Sequence, residues 1–205
     1  MMTSQLEFPL TLRMKLIAFA PQFFVEDVNQ KPVAYIKQKL FKLKEAINIF
    51  ADETQKDVLY TIAADRIIDF SARYNFKKSD GLILGSVKRH GMRSLWRAQY
   101  DVYGTNDTNG DERVVFTISE ESVLTRFFDN IFSQIPILGS LSGYIFQPSY
   151  IVKRESGEEV MRLSKQPALW EGVFKMEKLA MLSHVEQESL MLSLFMTVLL
   201  ERQSG

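Results

Sequence analysis

Lys88, Arg89, Arg93 and Arg97 crowd one turn of the chain, with His90 among them and Met92 and Trp96 beside them. Cations converging on one loop are what phosphate recognition needs, above all the planar fork of the arginine guanidinium. An apolar tip next to them would dip into a layer of lipid headgroups. The pattern also has a plainer account, a solvated hairpin whose charges keep a strand edge soluble. Lys37, Lys39, Lys42 and Lys44 form a second basic run, but their spacing divides the charges between two faces.

Other residue types offer little to react with. The chain has no Cys, which removes disulfides, thiolate metal sites, cysteine nucleophiles and palmitoylation, and fits a reducing compartment. His90 and His184 are its two histidines, and neither comes with a nearby serine and carboxylate in a pattern that suggests hydrolysis. Gly139-Ser-Leu-Ser-Gly143 has Leu141 where a nucleophile elbow places its serine. Asp107-Thr-Asn-Gly-Asp-Glu112 imitates the start of a calcium loop. However, Glu112 stands where the loop needs Gly, and Ile118 stands where it needs a bidentate Glu. It reads as a hairpin turn. No Gly-rich phosphate loop or dinucleotide fingerprint is present. The expectation is a protein without catalytic residues, metal or cofactor.

The totals agree with a folded, soluble molecule. Apolar residues make up 46% and charged residues 24% of 205, enough to bury a large core in one domain spanning 1–205. The 25 Lys and Arg balance the 25 Asp and Glu, so no global field draws the chain to nucleic acid. The balance is uneven along the chain: residues 1–100 hold 16 cations against 10 carboxylates, and the remainder 9 against 15. Arg13, Lys15 and the apolar Leu16–Ala20 faintly imitate a secretion signal, but the apolar stretch is too short and Glu7 precedes it. The stretch reads as an edge strand, and the cytoplasm is the default location.

The elements that would position the basic hairpin are mostly short strands. Phe70, Ala72, Tyr74 and Phe76 alternate onto one face. Ala34–Leu43, Val58–Ala63, Leu82–Lys88, Leu95–Tyr103, Val114–Ser119, Tyr150–Arg154, Glu159–Leu163 and Gly172–Met176 continue the series. Their spacing suits an antiparallel sandwich or barrel. An amphipathic helix interrupts them near 119–132, with Ser119 as its cap, Glu120 and Glu121 in its first turn, and Val123, Phe127 and Ile131 every four residues. The last helix, Ser183–Arg202, opens with a capping box of Ser183 and Glu186. From Leu190 to Leu200 it is apolar on every side, broken only by Ser193 and Thr197. A helix of that kind must be surrounded. A run of eleven residues is too short for a bilayer span of about 20, so protein is the expected wrapping, with Leu190, Leu194, Phe195, Val198 and Leu199 at its centre.

Tyr35-Ile-Lys-Gln-Lys-Leu-Phe-Lys-Leu-Lys-Glu45, Phe50-Ala-Asp52, Phe70–Phe76 and Gly81-x-x-x-Gly-x-x-Lys-Arg89, in that order, resemble the LURP-one-related family over roughly residues 22–202. That family sits with tubby C-terminal domains and phospholipid scramblases. The resemblance implies a closed barrel of about twelve antiparallel strands around a buried C-terminal helix, with the helix at 119–132 as an insertion. Together, the residues and the resemblance leave three kinds of work open. One is contact with an anionic phospholipid headgroup or phosphorylated ligand through Lys88, Arg89, Arg93 and Arg97, with the chain peripheral to a membrane. The second is a protein-interaction surface on the inserted helix and the apolar loop 135–148. The third is scramblase-like lipid transfer, which would require the terminal helix to leave the barrel.

Overall fold

The computed structural model describes residues 6–15, 21–37, 46–66, 72–90, 98–104, 113–121, 148–168 and 172–204. Twelve strands form the wall: β1 Leu10–Lys15, β2 Gln22–Glu26, β3 Pro32–Lys37, β4 Ile47–Phe50, β5 Val58–Ala64 and β6 Arg73–Lys78, then β7 Ile83–Arg89, β8 Gln99–Tyr103, β9 Val114–Glu120, β10 Ser149–Arg154, β11 Glu159–Gln166 and β12 Gly172–Lys178. Each strand pairs antiparallel with its neighbour in sequence, and β1 pairs with β12 to close the ring. A single helix among the described residues, α1 His184–Ser204, completes the fold.

An eight-stranded barrel is filled by its own side chains, and diameter grows with strand number. Twelve strands leave room for a helix about 10 Å across, and α1 takes that place. Alternate residues of every strand point inward, as in Leu10 and Leu12, Phe23 and Val25, Tyr74 and Phe76, and Phe116 and Ile118. They meet Leu190, Leu194, Phe195, Val198 and Leu199, all buried, and Phe23 packs edge-on to Phe195 at 5.1 Å between ring centres. Ser193 and Thr197 hand their hydroxyls back to the carbonyls of Ser189 and Ser193, at 2.8 and 3.0 Å, so neither carries an unmet donor into the dry interior.

Five register shifts fall near the C-terminal ends of β2, β4, β6, β8 and β10, all at the barrel end where α1 starts. Bulges at a rim bend the wall. The six large apolar side chains left exposed among the described residues also lie at that end: Val28, Leu82, Ile83, Leu179, Met181 and Val185.

Two expectations are corrected. Arg13 and Lys15 lie on no edge, because Leu10–Lys15 is paired on both sides, whereas Leu16–Ala20 lies outside the described residues. Ser119 and Glu120 do not open a helix. They end β9, where Ser119 lies opposite Gln99 and Ile151, and Glu120 opposite Tyr150. The Ser-Glu-Glu cap signal is local, and two flanking ladders override it. The remainder of 119–132, and nearly all of 135–148, lies outside the described residues.

Candidate functional site

The basic turn is a hairpin, with β7 and β8 in register from Ser86↔Tyr103 to Arg89↔Tyr100 and His90 N–H donating to Gln99 O at 2.8 Å. Alternation along β7 then separates two neighbours that the sequence presents together. Val87 points into the core and Lys88 onto the outer wall. Arg89 turns into the barrel mouth, where its guanidinium lies 3.3 Å from Glu201 of α1. Lys88 stands in a cross-strand row with Arg73 on β6 and Asp101 on β8. Arg73 lies over the Tyr103 ring, 4.0 Å from its centre.

Like charges directly opposite one another on adjacent strands repel, and Arg73 and Lys88 are such a pair. Asp101 offsets part of this from the far side of Lys88, and it also faces His90, whose Nδ1 is 2.8 Å from Oδ2. On the other side of Arg73, Asp65 accepts the Arg73 backbone N–H at 3.0 Å. Burial alone would raise the Asp65 carboxyl, but that bond and the Arg66 and Arg73 charges hold it below its ordinary value. Arg66, Arg73 and Lys88 thus bring three cations to one stretch of outer wall at the root of the hairpin, with Asp65 and Asp101 fixed among them. An anion seated across β6 and β7 would relieve the Arg73–Lys88 repulsion.

The family model of LURP-one-related proteins matches residues 32–178, which covers this wall and ten of the strands, β3 to β12, entirely. The chain belongs to the LURP-one-related family. A solved structure of an Arabidopsis thaliana protein aligns with 98% of this chain and 94% of its own, at 16% identity and a TM-score of 0.49. No curated protein matches the chain.

In this LURP-one-related barrel the helix is tied to the wall at both ends. At its start the capping box forms as read, with Ser183 N–H on Glu186 Oε2 at 2.7 Å and Glu186 N–H on Ser183 Oγ at 3.3 Å. Arg154 reaches both Glu186 and the Met181 carbonyl at 2.8 Å. One turn on, the Lys78 ammonium and the Tyr60 hydroxyl each meet the buried Glu188 at 2.8 Å. Burial, with Glu188 behind it, raises the Tyr60 phenol far above its ordinary value. At the far end Tyr100 donates to Glu201, so Glu201 joins Tyr100 and Arg89. Burial and then Glu201 likewise raise Tyr100.

Of the residues singled out in sequence, Lys88 and Arg89 are placed on opposite sides of the wall, and Arg93 and Arg97 lie outside the described residues. So do Lys39, Lys42 and Lys44, the Asp107–Glu112 turn and the Gly139–Gly143 loop. Arg73, Arg66 and the His90–Asp101 pair are the contributions that sequence reasoning missed. The alternation of Phe70–Phe76 places Arg73 on the solvent face, but only the β6–β7 register sets it beside Lys88. The His90 ring has a carboxylate, yet among the described residues no serine, threonine or lysine is bonded to it. No helix of the described residues is long and apolar enough to cross a membrane.

Proposed function

We propose that this LURP-one-related protein is a non-catalytic binding module. It takes an anionic, phosphate-bearing group, foremost a phospholipid headgroup, on the outer wall at the root of the β7–β8 hairpin. The observation that carries this reading is the like-charged cross-strand pair Arg73–Lys88, with Arg93 and Arg97 following a few residues on in sequence. Two cations held at neighbouring positions by a rigid ladder are pre-organised for one anion between them. Arg89 plays a different part: through Glu201 it fixes the end of α1 beneath the hairpin. The contact is electrostatic and screened by salt, and no bond is made or broken.

Sedimentation with vesicles tests it. Phosphatidylcholine vesicles should leave the protein in solution, whereas vesicles carrying phosphatidylserine or a phosphoinositide should pellet it at low salt, less so as salt rises. Arg73→Gln with Lys88→Gln should weaken that binding at least about tenfold, since each cation near an anionic surface contributes about 1 kcal/mol. Pelleting that ignores salt and the double substitution, or no pelleting at all, would overturn the reading. Competition by a soluble inositol phosphate separates a headgroup from the bilayer as the thing recognised.

A further inference from the structure

A second feature lies four strands around the ring and at the opposite end of the barrel, where the turn Ala51–Asp57 folds beside the outer faces of β2 and β3. Among the described residues β3 and β4 share one register pair, Tyr35↔Phe50, while β2 and β3 pair from Gln22↔Lys37 to Glu26↔Pro32 with a shift between Val25 and Glu26. The gap forms a cleft of 220 Å³, floored by Phe24 and Tyr35 and rimmed by Glu26, Asp52 and Glu53. At about 30 Å³ per water in the liquid, it holds about seven water-sized atoms or groups. The two rings pack directly on each other, with centres 5.1 Å apart and planes tilted by 59°, and Tyr35 is buried.

The chemistry of the lining is one-sided: three carboxylates and two aromatic rings, with no cation among the lining residues. Two of the carboxylates are already engaged. Glu26 accepts from Arg13 Nε at 3.1 Å, and Asp52 accepts from the backbone and hydroxyl of Thr54 at 2.8 and 2.6 Å. Glu53 has no hydrogen bond or ion pair among the described residues. Its charge instead bears on the Tyr35 hydroxyl, which burial and then Glu53 push above its ordinary value. An exposed carboxylate with no bonded partner at the rim favours a cation in the cleft. The aromatic floor shows the same preference, because Lys15 from β1 already places its ammonium 4.7 Å from the centre of the Phe24 ring. Aromatic faces beside carboxylates are the surroundings in which alkylated ammonium groups bind.

We propose that this cleft binds a small organic ammonium group, its nitrogen held between the Glu53 carboxylate and the Phe24–Tyr35 rings. The volume admits a choline-sized cation. The site is independent of the hairpin, since none of its lining residues belongs to β6, β7 or β8.

Titration with choline chloride, followed by amide shifts in two-dimensional NMR, tests the proposal. Saturable shifts confined to Ala51–Thr54 and to the neighbouring part of β2 and β3 should appear at millimolar choline and not with sodium chloride. Glu53→Gln, an exposed change that leaves the fold intact, should weaken binding about fivefold or more. Tyr35→Phe should keep most of it and Tyr35→Leu should lose it. Arg73→Gln with Lys88→Gln should bind choline normally, so failure of the anion reading leaves this one standing, and the reverse. Soluble glycerophosphocholine that competes for these shifts would identify a lipid headgroup as the natural source of the ammonium; no competition would identify a free cation. No saturable shift, or a response unchanged by Glu53→Gln, would overturn the proposal.

Discussion

Gly85 and Glu186 show how much single residues decide here. Gly85 has a φ of +118°, a conformation open to glycine and strained for other residues. An added Cβ would drive into the Tyr103 carbonyl and sit 3.3 Å from Ser189 Oγ on α1. The backbone carbonyl cannot yield without moving β8. Gly85→Ala should therefore cost about 2 kcal/mol or more in chemical denaturation. Glu186 responds to acid. Burial by itself would raise its carboxyl, but the Arg154 guanidinium and the Ser183 backbone and hydroxyl bonds outweigh that and hold it below its ordinary 4.5. A lowered carboxyl contributes stability that is full above its unfolded value and is lost as pH falls through its folded value. Comparing the native protein with Glu186→Gln, the native advantage should be largest at neutral pH and vanish in acid well below 4.5. An advantage that grows in acid would contradict the role assigned to the Arg154–Glu186 contact.

Among the elements, α1 carries most of the core. Leu194 is fully buried, and Leu194→Ala should cost about 3 kcal/mol through lost contact and the void left behind. Thr197→Val should stay within about 1 kcal/mol, because the Ser193 carbonyl keeps its helical partner when the hydroxyl goes. A calorimetric series on both variants checks the contrast. This helix was legible in sequence because an apolar run on all sides admits few surroundings, and because its capping box is a local pattern that the chain realises locally. The strands from Val58 to Met176 were legible from alternation and turns. β2 and β4 were not, since five and four residues carry too short an alternation to stand out. Ser119 and Glu120 misled because a cap is a local preference, while β9 is held by partners far along the chain. The hairpin was visible as a cluster of cations. Its division between the two sides of the wall follows from strand alternation, and its partner Arg73 comes only from the register between strands. The cleft over Tyr35 draws on three separate segments, so no spacing within the sequence announces it.

At the scale of the whole molecule, the barrel has two unlike ends. The end where α1 begins carries the bulges, the exposed apolar side chains and the cleft over Tyr35. The other carries the hairpin root with its cations and the Arg89–Glu201–Tyr100 cluster that holds the end of α1. A wall without a free edge, built around its own helix and pinned to it at both ends, is a rigid frame for what lies on its surface. Binding on the outer wall leaves that frame closed, whereas moving lipid with the helix would require Lys78–Glu188, Arg154–Glu186 and Arg89–Glu201 all to break. Hydrogen exchange of the amides from Leu190 to Leu199, measured with and without anionic vesicles, separates these most directly. The account predicts slow exchange that is the same in both, with new protection confined to β6–β8 and their hairpin. Faster exchange of the helix amides on vesicles would contradict it.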